Sequence, residues 1–346
     1  MTTTFETPYD GDSLAHGGAP PIAALTQRPE TGEDPINQVQ AACRRFESLA
    51  AGEASAPRRS FHRTVAAIHD LCLALDDAES AGVPPPMLHD LVKGARDVHA
   101  RSPFIRRLQE WPRGYPGDFE TIEQLWLADN RAAAGTFAHV LEAYALTASI
   151  SQQHRNKVAL QASWMRGTLR EARPCRVLSI GCGSCPDVRS VVDEVHGRAE
   201  FVLCDGDTGA LEYSRSQLAP IAERCRFIQG MVPRVLRGLA GRGRYDLILA
   251  GGLFDYLSDR FIVRTLHDAW HGLLAPGGRI AFTNIARGNP FRVWLEYIAS
   301  WPLIERSESD LVALCRAAEI PVAPTITRDA TGLSLIVTIE SLIANP

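Results

Sequence analysis

The chain divides into two halves by the spacing of its apolar positions. From about residue 35 to 170, the stretches 36–50, 61–78, 87–100, 119–130, 135–150 and 156–169 place apolar residues three and four apart, the period of helices with one buried stripe. Prolines at 57, at 84–86 and at 112 and 116 punctuate this half, and each predicts that a helix stops nearby. After about residue 173 the pattern changes. Short apolar runs such as 175–181, 200–207, 226–232, 245–252 and 279–285 alternate with helical periods over 186–197, 208–223 and 260–274. Strands joined by helix-length crossovers predict βαβ units, hence a parallel sheet covered by helices on both faces. Runs at 323–329 and 333–340 flank a glycine-containing turn and predict a closing hairpin. Residues 1–33, rich in Thr, Gly and Pro without a sustained period, read as a flexible arm. The expected organisation is an arm over 1–33, a helical unit over 34–170 that closes over a site, and an α/β unit over 171–346.

Composition narrows the function classes. Of 346 residues, 45% are hydrophobic and 22% charged, ordinary values for a globular protein. No apolar run reaches the roughly 20 residues that span a bilayer. The net charge of −4, with no basic block, argues against nucleic acid as a partner. The first residues lack the features of a secretory signal, so a cytoplasmic location is expected. Lys93 and Lys157 are the only lysines, the rest of the positive charge being arginine. The eight cysteines are scattered, several inside apolar runs, and imply no disulfide framework. Cys182 and Cys185 form a CxxC without a second pair at metal-ligand spacing, so no metal is expected there.

The chemistry concentrates after the first predicted strand, where Val177 to Ile180 run into Gly181-Cys182-Gly183-Ser184-Cys185-Pro186. Glycines at this point let a ligand approach the backbone, and Pro186 suits the first position of a helix. Pro186 occupies the third glycine position of a dinucleotide fingerprint, and no Gly-Lys-Ser/Thr follows, which counts against NAD and excludes a P-loop. The second strand ends in Asp205-Gly206-Asp207, roughly 20 residues beyond the turn, where a carboxylate can accept both ribose hydroxyls of an adenosine. Asp205 is the better candidate of the two.

In this order and spacing, the glycine turn at 181–183, the acidic strand end at Asp205, the strand 245–250 and the turn 274–279 resemble the class I S-adenosylmethionine-dependent methyltransferases. The resemblance covers about residues 173–285. It departs at Ser179, where the family often has an acid, and at Cys185, where a third glycine is common. It implies a Rossmann-like methyltransferase sheet, S-adenosylmethionine as cofactor, and cofactor contacts from Gly181, Cys182, Gly183, Asp205, Gly230, Met231 and Gly251. Outside that core, residues 113–120 and 289–301 resemble a narrower bacterial group that includes 3-hydroxy fatty acid methyl ester synthases.

Ligands of an open parallel sheet lie beyond the carboxyl ends of its strands, which draws Asp255, Tyr256 and Asn284 to the same crevice. The segment 114–118 is the candidate lid, able to carry Tyr115, Asp118 and Glu120 to the site. The catalytic candidates are therefore Tyr115, Asp118, Glu120, Asp255 and Glu296; Asp118 and Glu120 also read as the start of a helix, and Glu296 as a solvated helix residue. His154 reads as a surface residue or a general base. A carboxylate-rich pocket suits a cationic nitrogen nucleophile, which needs its charge offset and a proton removed, and predicts N-methylation of an amino or guanidino group, free arginine among the candidates, in a natural-product pathway. A carboxylate substrate would use arginine instead, with Arg113, Arg155, Arg287 and Arg292 available, as the resemblance to ester-forming enzymes implies. A non-catalytic binding module on the same fold is the third alternative.

Overall fold

The computed structural model describes residues 34–50, 57–170, 174–195 and 199–341, and the described residues from 35 onward belong to one compact unit. The expected arm over 1–33 lies outside the described residues.

The α/β half holds a seven-stranded sheet in the order β3-β2-β1-β4-β5-β7-β6. Its strands are β1 (Cys175–Ile180), β2 (Ala199–Asp205), β3 (Cys225–Gln229), β4 (Tyr245–Ala250), β5 (Leu274–Ile285), β6 (Thr325–Arg328) and β7 (Ser334–Glu340). The first five pair in parallel, while β7 runs antiparallel to both β5 and β6. This is the doubly wound sheet and closing hairpin that the alternation of runs predicts. Central strands are apolar on both faces because both are covered. Leu178, Val202, Ile248 and Phe282 face one core; Val177, Phe201, Leu247 and Ala281 face the other. The order reverses between β1 and β4, and a crevice opens there at the carboxyl ends of the strands.

The helical half comprises α1 (Pro35–Leu49), α2 (Pro57–Ser80), α3 (Pro85–Leu91), α4 (Lys93–His99), α5 (Pro103–Glu110), α6 (Phe119–Leu127), α7 (Phe137–Thr147) and α8 (Ser149–Leu169). The periodicity over 87–100 splits into α3 and α4 at Val92. Short α5, which the pattern does not reveal, starts where Ser102 accepts the Ile105 N–H at 3.2 Å and Pro103 takes the first position. Buried Glu142 ties this layer together: it accepts from the Ser102 hydroxyl at 2.7 Å, the Phe104 N–H at 3.0 Å and the Arg131 N–H. Helix α8 packs against β1 and β4, so one long helix carries side chains from the helical layer to the crevice.

In the sheet half, α9 (Pro186–Arg189) is a single turn followed by a 3-10 turn (Val192–Glu194), shorter than the helix expected over 186–197. Helices α10 (Thr208–Gln217), α11 (Val232–Leu239), α12 (Asp259–His267) and α13 (Glu308–Ala317) complete the layers. Beyond β5, Val293, Trp294, Leu295, Tyr297 and Trp301 leave the sheet and join the helical core, binding the halves together.

Candidate active site

The turn after β1 is built on left-handed backbone. Gly181 (φ 65°), Gly183 (φ 55°) and Cys185 (φ 52°) all have positive φ. Gly181 and Cys182 donate to the Cys204 carbonyl at 2.8 and 3.0 Å, stitching the turn to the end of β2. Cys185 stands where the resemblance expects glycine, its thiol buried and its N–H on the Cys182 carbonyl at 2.9 Å. A side chain on Gly183 would enter open space, its nearest neighbour being Phe119 Cβ at 4.0 Å, so the turn presents bare backbone to the crevice.

Asp205 closes β2 beside this turn. Its carboxylate accepts the Gly183 and Asp207 N–H groups, each at 2.9 Å. Burial raises its pKa, while those N–H bonds pull the other way. Each oxygen keeps a lone pair for a further donor. Gly230 donates to the Asp205 carbonyl at 2.9 Å, and exposed Met231 follows it at the head of α11; both flank the crevice outside the cavity wall.

The segment expected to act as a lid is tied to the end of β2 and contributes Tyr115, Pro116 and Gly117 to a cavity lining. Arg113 grips Asp207 with two bonds of 2.5 Å, and the Tyr115 hydroxyl donates to the same carboxylate at 2.7 Å. The Arg113 bonds hold Asp207 well below the usual carboxylate range. Gly117 (φ 65°) rests on Tyr256 and Trp301, so a Cβ there would overlap the Tyr256 hydroxyl. Trp301 Nε1 donates to that hydroxyl at 2.7 Å.

The cavity has a volume of about 350 Å³. Gly183 and Asp205 line it, as do Gly251, Gly252 and Leu253 after β4. Phe104, Leu108, Ile122, Leu125, Ala145, Ile150, Trp294, Leu295 and Leu303 make a continuous apolar wall. Tyr115, Ser151, Gln153, His154, Lys157, Asp255 and Tyr256 supply the other polar groups. Asp255 accepts the Ile285 N–H at 2.7 Å, and burial pushes its pKa up to about 6 against the opposing charge of Lys157. Burial lowers the pKa of Lys157 and of His154.

The carboxylates expected in the pocket separate. Tyr115 and Asp255 line the cavity; Asp118, Glu120 and Glu296 do not. Asp118 is the N-cap of α6, accepting the Thr121 N–H at 2.9 Å and two bonds from Arg107 at 2.9 and 2.8 Å. Glu120 pairs with Arg107 and Arg113 at 2.9 and 3.4 Å, and Glu296 with Arg292 at 2.9 Å. Their charges are met by arginines before any ligand arrives. The arginines considered for an acidic substrate are engaged too: Arg113 with Asp207, Arg155 with the Leu125 carbonyl, Arg287 with Asp310 and Arg292 with Glu79. Asn284 is buried against the Ile304 carbonyl and Arg306, outside the cavity wall. His154 is no surface residue; it is 6% exposed, and its Nε2 has no hydrogen-bond partner among the described residues. Sequence reasoning passed over Lys157, one turn beyond His154, although it is one of only two lysines in the chain.

Comparison with known proteins agrees with this geometry. Residues 177–278, from β1 into the first part of β5, match a family model described as a methyltransferase domain. The chain carries a methyltransferase domain. As a methyltransferase it is similar in fold to a possible exported protein of Bordetella parapertussis, with 15% identity, 92% of this chain and 100% of the other covered, and a TM-score of 0.55. It also matches, at lower TM-scores, magnesium protoporphyrin IX methyltransferase of Synechocystis with bound SAH (12% identity, 64% and 92% covered, TM-score 0.45). A third match is the N-methyltransferase NodS of Bradyrhizobium japonicum in complex with S-adenosyl-l-homocysteine (14% identity, 53% and 86% covered, TM-score 0.39). No curated protein matches. None of the described helices of this methyltransferase is long and apolar enough to cross a membrane.

Proposed function

We propose that this methyltransferase uses S-adenosylmethionine to esterify the carboxylate of a small molecule with an extended apolar body. The Asp205 carboxylate suits the ribose hydroxyls of the donor, and the bare backbone of Gly183 on the same cavity suits its amino acid end. Bound there, S-adenosylmethionine supplies a methyl group on a cationic sulfur; a carboxylate oxygen forms the new O–CH3 bond as the S–CH3 bond breaks, the electron pair stays on sulfur, and no proton moves.

The observation that carries the reading is the wall of the cavity. It is predominantly apolar, and Gly183 and Asp205 line the same cavity. Burying such a wall against an alkyl chain contributes roughly 0.8 kcal/mol per methylene, so the body of the acceptor supplies binding and the lid excludes water. A free arginine would leave its polar groups facing Phe104, Leu108 and Leu295. Three of the four carboxylates that motivated a cationic acceptor are neutralised by arginines outside the cavity. A protonated nitrogen would also stand beside both the sulfonium and Lys157 and be repelled by each.

One feature favours the nitrogen reading. Asp255 lines the cavity with a pKa of about 6, suited to taking a proton from an amine with an apolar substituent. The two readings separate in an acceptor panel with methyl-labelled donor: dodecanoic acid, its 3-hydroxy derivative, dodecylamine and arginine. Label entering the acids supports the ester reading, and label entering only dodecylamine or arginine overturns it.

A further inference from the structure

Among the residues that line the cavity is one lysine that no described hydrogen bond or ion pair engages. Lys157 is 6% exposed, yet its ammonium has no hydrogen-bonded or ion-paired partner among the described residues; Asp255 and Asp329 act on it only through their charge. A lysine so placed is costly, since desolvating an ammonium without a direct counter-ion opposes folding. The nearest carboxylates have other duties. Asp255 accepts the Ile285 N–H, and Asp329 is held by Asn156, Thr331 and Ser334. One turn earlier on α8, His154 presents a buried Nε2 that also has no hydrogen-bond partner among the described residues. Both residues line the cavity, together with its apolar side chains.

We propose that Lys157, with His154 beside it, is an anion site that holds the head group of the acceptor and distinguishes the acid from its own methyl ester. The inference rests on the carboxylate reading above and extends it to how the enzyme chooses substrate over product. Acid and ester share one apolar body, so the wall binds both equally. They differ by a full charge at the head group. The acid places that charge against Lys157 in a water-poor pocket, where a charge-assisted bond is about twice as strong as a neutral one. The ester has no charge to offer and leaves Lys157 as unpaired as in the empty pocket. Esterification therefore weakens the hold on the acceptor, and release of product follows from the chemistry without a moving part.

The test is equilibrium binding of dodecanoate and methyl dodecanoate to the full chain saturated with S-adenosylhomocysteine. The wild type is expected to prefer the acid by about tenfold or more, the worth of one charge-assisted hydrogen bond. Lys157→Met and Lys157→Gln are expected to lose that preference by weakening acid binding while ester binding stays within about twofold, and Lys157→Arg to keep most of it. A purely structural role for Lys157 would weaken both ligands together. Equal binding of acid and ester by the wild type, which requires no variant, overturns the inference, as does an undiminished preference in a folded Lys157→Gln protein. Failure of the carboxylate reading looks different: the wild type then methylates no acid and binds dodecylamine instead.

Discussion

Replacing Asp205 by Asn should uncouple cofactor binding from folding. The two carboxylate oxygens each accept one backbone N–H at 2.9 Å, from Gly183 and from Asp207, and their remaining lone pairs border the cavity. An Asn side chain has one oxygen, so one backbone donor meets an NH2 group instead, and one ribose hydroxyl loses its acceptor. Hydrogen bonds to a charged group contribute about 1.5–3 kcal/mol each, and neutralisation weakens the surviving one as well. Loss of about 3 kcal/mol in donor binding, two orders of magnitude in Kd, is the expected result. Stability should change less, because burial raises the pKa of Asp205 and the neutral amide avoids that desolvation, which offsets the broken backbone bond. Calorimetric titration with S-adenosylhomocysteine, paired with thermal unfolding of the same sample, separates the two effects. A folded variant that binds within about threefold of wild type would refute Asp205 as the ribose acceptor.

Three further perturbations test the neighbouring claims. Gly117→Val forces a β-branched residue into left-handed backbone, at about 1–2 kcal/mol, and drives its Cβ against Tyr256; turnover should fall more than donor affinity, and equal losses would make the loop a fold element only. Glu120→Gln and Glu296→Gln should each keep steady-state turnover within about threefold of wild type, whereas a positioned acid–base group would cost about 100-fold or more. Asp187 is buried outside the cavity and its pKa is pushed up from 3.8 to about 6, so the folded state binds its proton more tightly than the unfolded state does. Its contribution to stability is therefore lost as pH rises from about 4 to 6, and the stability of Asp187→Asn relative to wild type should rise by about 2–3 kcal/mol over that range in urea titrations; a pH-independent difference would contradict it.

What the sequence discloses and what it conceals follow from the range of the interactions. Strand β1, its glycine turn and Pro186 are a local pattern, and so is the acidic end of β2; each is legible because neighbouring residues determine it. Helix α5 is missed because eight residues give too few turns for a clear period, and its start depends on Ser102 and Pro103. The expected carboxylate pocket dissolves because its partners are remote: Arg292 reaches Glu79 across half the chain, and Arg113 crosses from the helical half to Asp207. An acidic residue and the arginine that neutralises it give no joint signal in one sequence. Lys157 left a faint one. In a chain with two lysines among 36 basic residues, a lysine three positions after a histidine on one helix face is a choice of chemistry rather than of charge.

The central claim is that a carboxylate oxygen receives the methyl group, and the bond itself can be examined. Products made with a methyl-labelled donor and dodecanoic acid are treated with mild alkali, which hydrolyses esters and spares N–CH3 bonds. The account predicts that the label leaves as methanol and that dodecanoate is recovered; label that stays on the product through the alkali step, or no label transferred to dodecanoic acid, would contradict it.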